Sequence, residues 1–362
     1  MAKCCSFTAS RNWCLRYSFT NSGLKSSTTD LGDGTVMHCW IPKTHKEKKP
    51  TLILIHGVGA NAMWQWNEFI TPLSSRFNLY VPDLLFFGES YTSRPERAES
   101  FQAQCVMRTM EAYGVKKMTV VGLSYGGFVG YSMAAQFPEA VEKVVLGCSG
   151  VSLEEKDMEN GMFQVKSVEE AVSVLLPQTP EKLRQLMKLS FYKPTKNVPS
   201  CFLNDFIDAF FLHCWNKMAF CTQAPPWIKK LEKAGNLTQL TQEYFYKLLL
   251  PKKMVMCTVN YQERKELIET LHNNRKLSDL PKITQPTLIL WGEYDQIFAL
   301  ELAHRLKRHL SENAQLVILK DAGHAINMEK PKELFKHLKS FLLDSRPHTK
   351  ENSNGSHSQK LD

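Results

Sequence analysis

The chain lacks any apolar run long enough to cross a bilayer. Its most apolar stretch, Cys201 to Cys221, is broken by Asp205, Asp208, His213 and Lys217, where a membrane helix needs about 20 apolar residues. It reads instead as a buried or half-buried helix. Ten cysteines are scattered from Cys4 to Cys257 without one C-x-x-C pair, which excludes zinc-ribbon and dithiol redox motifs and leaves no metal expected. Most lie among apolar neighbours, as buried thiols of a reducing compartment do. Zinc-finger spacing and basic helices interleaved with aromatics are also missing, so the net charge of +9 does not point to nucleic acid. Lys46, Lys48 and Lys49, then Lys229, Lys230 and Lys233, read as solvated faces, with contact to anionic lipid as the alternative. The Asn236-Leu237-Thr238 sequon stands without any other sign of secretion. There is no internal repeat.

Acidic residues are absent from Met1 to Thr29, a stretch that carries Lys3, Arg11, Arg16 and Lys25. That is the composition of a transit peptide, and Cys4 or Cys5 could be acylated. Against both, Leu31-Gly32-Asp33-Gly34 reads as a hairpin turn with Val36 to Ile41 as its second strand. The fold is therefore expected to start near Gly23. Residues 1–22 are expected to be a short, ordered or frayed arm of a cytosolic protein. A chloroplast protein, or one held at a membrane by this arm, is the alternative.

What is present is alternation. Hydrophobic residues make up 43% and charged ones 22%, enough apolar surface for a large core. Thr51 to Ile55, Asn78 to Val81, Lys117 to Val121, Lys143 to Leu146, Thr287 to Trp291 and Leu316 to Leu319 are short apolar runs that read as buried strands. Between them lie helical patterns at Phe101 to Tyr113, Ser124 to Phe137, Phe298 to Leu310 and Pro331 to Leu343. This order argues for an α/β fold with a mostly parallel sheet covered on both faces. From Val151 to Leu280 no strong strand occurs, and the pattern is helical. The expected organisation is an arm (1–22), a core (23–150), a helical lid (151–280), the rest of the core (281–344) and a disordered polar tail (345–362).

Chemistry concentrates at Gly122-Leu123-Ser124-Tyr125-Gly126. A strand here runs straight into a helix across G-x-S-x-G. Gly122 and Gly126 remove the Cβ atoms that would collide where strand and helix approach, and the serine hydroxyl is lifted above the sheet edge. The Tyr125 amide opens the helix and is placed to stabilise an oxyanion. A serine hydroxyl needs a base; the candidate is His324, in the loop after the last strand. Asp295, just after the preceding strand, is the acid that would fix the histidine's tautomer. Asp321 and Glu293 compete, but Asp321 shares a tight loop with His324 and Glu293 sits closer to its strand end. The second oxyanion amide is expected from Val58 in His56-Gly57-Val58-Gly59, with His56 and Gly57 supporting that loop. Gly57 and Gly59 do not make a dinucleotide loop, because the third glycine and the acidic ribose partner are missing. Phe202, Phe206, Phe210, Phe211 and Trp215 could line an acyl pocket or form ordinary lid core.

The motifs LIHGVGANAMWQW, VVGLSYGGFVG, WGEYDQIF and DAGHAINMEKP resemble those of the α/β-hydrolase superfamily over residues 23–343, nearest to plant members akin to monoacylglycerol lipases and carbon–carbon-bond hydrolases. The resemblance implies a helical lid over the site. It carries nucleophile, acid and base onto Ser124, Asp295 and His324, and oxyanion amides onto Val58 and Tyr125. One departure is Phe86 in Asp83-Leu84-Leu85-Phe86-Phe87-Gly88, where the family often has glycine. Ser124 argues against the epoxide hydrolases and haloalkane dehalogenases, which use an aspartate nucleophile. The expected activity is hydrolysis of a small lipophilic ester, such as a monoacylglycerol, without metal or organic cofactor. Carbon–carbon hydrolysis of a diketone-like substrate is one alternative, and a hydrolase-fold receptor with little turnover is another. The sequence assigns no oligomeric state.

Overall fold

Strands without a polar break have no face to offer water, and β3 (Thr51–Ile55), β6 (Met118–Leu123) and β8 (Thr287–Gly292) are buried at every position. The computed structural model describes residues 7–195, 198–207 and 259–343. Phe210, Phe211, Trp215, the Lys229 cluster, Asn236, Cys4, Cys5 and the tail lie outside the described residues. The sheet also contains β1 (Leu24–Asp30), β2 (Thr35–Pro42), β4 (Asn78–Pro82), β7 (Val141–Gly147) and β9 (Ala314–Leu319), in the order β1-β2-β4-β3-β6-β7-β8-β9, with the short β5 (Tyr91–Thr92) against β2. From β4 to β9 neighbours run parallel; β1 and β2 are antiparallel. Their turn passes Gly32 and Gly34 at φ +81° and +79°, a region that suits glycine.

Alternate residues of each strand face opposite layers. Leu52 and Leu54 pack with α1 (Phe7–Asn21), α2 (Ala62–Ser74) and the last helix, α11 (Pro331–Leu343). Ile53 and Ile55 pack with α3 (Glu99–Ala112), α4 (Tyr125–Gln136) and α10 (Leu300–Leu310). Between β7 and β8 the described chain holds only helices as regular elements: α5 (Lys156–Glu159), α6 (Val168–Leu175), α7 (Pro180–Ser190), α8 (Ser200–Ile207), α9 (Tyr261–His272) and a 3-10 turn at Leu277–Asp279. None of the described helices is long and apolar enough to cross a membrane.

The folded region begins earlier than Gly23. Residues 7–21 form α1, with Leu15 and Phe19 in the core and Phe19 against the Trp40 ring at 5.1 Å. Its first turn is tied to α8, where Asp205 accepts hydrogen bonds from the Thr8 N–H at 2.8 Å and, through its carbonyl, from the Thr8 hydroxyl at 3.2 Å. Trp13 and Tyr17 point outward, stacked at 6.0 Å. With apolar groups on both sides the helix has no single stripe to read, which is why its sequence passes for an arm.

Candidate active site

At the end of β6 the backbone turns sharply. Ser124 has φ +54° and ψ −124°, a conformation that costs a non-glycine residue on the order of 1–3 kcal/mol. It is held by the Ser124 N–H donating to the Gly147 carbonyl at 2.8 Å. A methyl group at Gly122 would overlap the Gly126 carbonyl, and one at Gly126 would overlap the Ile55 carbonyl. Strand and helix thus meet at backbone contact.

The structure brings Ser124, His324 and Asp295 together. His324 Nε2 lies 3.0 Å from Ser124 Oγ, and His324 Nδ1 lies 2.8 Å from Asp295 Oδ2. With Nδ1–H donating to the carboxylate, Nε2 is left to accept the serine proton. The other carboxylate oxygen of Asp295 accepts the N–H groups of Ile297 and Phe298 at 2.8 and 2.9 Å. Asp295 is buried, so three donors fix one carboxylate. Asp321 and Glu293 are not the partners of His324; instead a Glu293 carboxylate oxygen accepts the Asp321 N–H at 3.3 Å.

Sequence reasoning passed over the supports of this arrangement. Glu329 accepts the Gly323 N–H at 2.7 Å and the Tyr192 N–H at 3.0 Å, stapling the His324 loop to the end of α7. Its only signal was an acid just before Pro331. Gln65, on α2, accepts the Gly57 N–H at 2.7 Å. Cys148, following β7, has its Sγ within 4.8 Å of donor atoms of Asp295 and His324. Burial pushes its thiol well above the ordinary range, and the nearby Asp295 charge adds to this.

The loop carrying Val58 rests on His56. His56 Nδ1 bonds the Gly57 carbonyl at 2.8 Å, and Nε2 accepts the Leu84 N–H at 3.0 Å. This fixes the neutral tautomer, and complete burial depresses the imidazole below its ordinary 6.5. Burial pushes neighbouring Asp83 up, but the hydrogen bond from His38 and the imidazoles of His38 and His56 outweigh it and lower its carboxyl. Phe86 keeps the turn that glycine would otherwise favour, at φ +73°. Its carbonyl accepts Arg264 Nε at 2.9 Å and Asn260 Nδ2 at 3.0 Å, and the Arg97 guanidinium lies 4.7 Å over its ring.

Val58, Ser124, Tyr125 and His324 line a cavity of about 920 Å³. Its walls are mostly apolar and include Phe163, Leu186, Phe202, Phe206 and Phe298. Among the described lining residues Arg11 is the sole lysine or arginine, and its guanidinium lies over the Trp64 ring at 5.1 Å.

Known proteins share this frame. The sequence profile of the alpha/beta hydrolase fold matches residues 50–331. Monoacylglycerol lipase ABHD6 of Mus musculus is 24% identical over 311 residues, covering 84% of this chain and 79% of the relative. Lipase 3 of Moraxella sp. (strain TA144) is 26% identical over 344 residues, 90% and 87% of the two chains. Among solved structures, the lip1 protein of Acinetobacter baumannii AYE aligns with a TM-score of 0.66 at 23% identity, covering 95% and 97%. The 2-hydroxy-6-oxo-6-phenylhexa-2,4-dienoate hydrolase of Rhodococcus sp. strain RHA1 aligns at 0.58 with 18% identity, covering 88% and 99%.

Proposed function

The chain belongs to the α/β-hydrolase fold family, and within it we propose a serine hydrolase that cleaves a lipophilic carboxylic ester through an acyl-enzyme. The observation that carries this reading is the continuous hydrogen-bonded line from Ser124 Oγ through His324 to Asp295 at the wall of a large apolar cavity. Ser124 attacks the carbonyl carbon while His324 Nε2 takes its proton. Asp295 holds the imidazole and stabilises the imidazolium that forms. The amides of Val58 and Tyr125 receive the oxyanion, a contribution of about 10²–10³ in rate per donor at comparable sites. His324 then protonates the leaving alcohol and activates the water that releases the acid.

The helices inserted between β7 and β8 are the proposed lid, spanning 151–280 with the core on either side. Phe202 and Phe206 in the cavity wall suit an acyl chain. The monoacylglycerol lipase and Lipase 3 relatives support the same substrate class. Carbon–carbon hydrolysis would call for polar groups to hold a substrate carboxylate, whereas the mostly apolar described wall supports the ester. The test is labelling with a fluorophosphonate, combined with hydrolysis of p-nitrophenyl esters of increasing chain length. Wild type is expected to label and to prefer a chain longer than acetate. Ser124→Ala is expected to lose labelling and about 10⁶ in turnover. A wild type that neither labels nor turns over any ester refutes the proposal.

A further inference from the structure

Cys148, Asp295 and His324 reach one point from three places in the chain: the end of β7, the loop after β8 and the loop after β9. Their donor atoms, one sulfur, one carboxylate oxygen and one ring nitrogen, all lie within 4.8 Å of one another. Such a group has no spacing motif, so it is invisible to a search of the sequence. The donor set is borderline-soft, the kind that Zn²⁺ and Co²⁺ prefer over Mg²⁺ or Ca²⁺. Tetrahedral zinc holds such donors about 3.3–3.8 Å apart, given bonds of about 2.0–2.3 Å. A metal would draw Cys148 Sγ inward by roughly 1 Å and would part His324 Nδ1 from Asp295 Oδ2, now 2.8 Å apart, by about 0.5 Å.

We propose that this cluster is an inhibitory site for a thiophilic divalent cation of the Zn²⁺ class. The cation binds Cys148 Sγ, the Asp295 carboxylate and His324 Nδ1, with one position left for water. Charge favours it: a dication joined to a thiolate and a carboxylate is neutral, which lowers the penalty of holding it in a buried place. The balance is simple. Cys148 Sγ–H loses its proton to solvent as the metal–sulfur bond forms. The imidazole proton moves from Nδ1 to Nε2 as Nδ1 takes the metal, and Asp295 binds as the carboxylate it already is.

The consequence for the reaction follows from that relocation. Nε2 lies 3.0 Å from Ser124 Oγ. Once it carries a proton it donates to the serine instead of accepting from it, and the nucleophile has no base. Inhibition in this form rests on the ester-hydrolase reading; metal binding does not.

The experiment uses the full chain freed of metal by a chelator and titrated with Co²⁺ alone, then with Zn²⁺ alone during ester hydrolysis. Wild type and Ser124→Ala are expected to show the thiolate-to-cobalt charge-transfer absorption and tetrahedral cobalt bands. Cys148→Ser, Cys148→Ala and His324→Gln are expected to lose them while melting as cooperatively as wild type. In wild type Zn²⁺ halts ester turnover, and Cys148→Ser raises the half-inhibiting concentration about 100-fold. Equal cobalt absorption in wild type and both Cys148 variants places the metal on other cysteines and overturns the proposal. Equal zinc sensitivity with and without Cys148 means the metal meets His324 from the serine side, which overturns it as well. Cobalt absorption that depends on Cys148 in a protein that cleaves no ester would leave the metal site standing and remove the ester reading alone.

Discussion

Replacing His56 by alanine separates the brace of the loop from the chemistry it serves. The imidazole is fully buried and joins two segments, bonding the Gly57 carbonyl at 2.8 Å and accepting the Leu84 N–H at 3.0 Å. It also packs edge-on against Phe87 at 5.0 Å. Removing it leaves the Leu84 N–H without a partner in a dry interior, at about 1–3 kcal/mol, leaves the Gly57 carbonyl with only the Ala60 N–H at 3.4 Å, and opens a void the size of a ring. Partial relaxation brings the expected loss to about 3–5 kcal/mol in a urea titration. If Val58 supplies an oxyanion amide, the slackened loop misplaces it, and kcat falls by about 10²–10³ with KM little changed. The imidazole also sets an acid limit. Its value is depressed below the ordinary 6.5 by burial, so the unfolded chain binds the proton more readily. The stabilisation is complete above about pH 6.5 and is lost as pH falls through the lower folded value. Wild type should lose stability below that pH more steeply than His56→Gln, which has nothing to protonate there. A His56→Ala protein that is destabilised but turns over ester at the wild-type rate would refute the link between this brace and the oxyanion loop. One that is as stable as wild type would refute the hydrogen-bond accounting itself.

Further outcomes test neighbouring parts. Asp295→Asn should keep the fold and lose about 10⁴ in kcat, because an amide at this place favours the wrong histidine tautomer; steady-state kinetics at saturating ester reads this directly. Gly122→Ala should destabilise by more than about 3 kcal/mol or yield no soluble protein, since the new methyl meets the Gly126 carbonyl. Phe86→Gly and Phe86→Ala both lose a buried ring, but only alanine keeps the strain at φ +73°. The glycine variant should therefore be the more stable of the two by about 1 kcal/mol in thermal or urea melts. Equal stability would show that the Arg264 and Asn260 hydrogen bonds to the Phe86 carbonyl leave no strain to relieve.

The elements most legible in the sequence were those with no solvent face. β3, β6 and β8 are unbroken apolar runs, so their burial on both sides could be read directly. β9 was read from Leu316, two residues late, because as the edge strand it mixes exposed and buried positions, with Gln315 out in solvent. α2 was passed over between the glycines of the loop before it and Pro72 within it, although Asn61 caps it through the Trp64 N–H at 3.0 Å. At the site, each chemical group could be picked out because each follows a strand. Their supports could not. Glu329, Gln65 and Arg264 act through side-chain hydrogen bonds to the backbone of other loops, and no local pattern announces such a bond.

The place of β8 in the sheet has a consequence for synthesis. β7 pairs with β6 on one side and with β8 on the other, yet about 140 residues separate Gly147 from Thr287. At translation speeds of about 5–20 residues per second, the open edge of β7 waits roughly 7–28 seconds for its partner. That edge carries Val144, Val145 and Leu146, an apolar segment of the kind that recruits other nascent chains. The ribosome-bound protein therefore passes through a period with a half-built sheet, in which Ser124 has emerged but neither Asp295 nor His324 has. A chaperone that holds this stage, or slow codons placed after the segment that completes it, would therefore change yield without changing the stability of the finished protein.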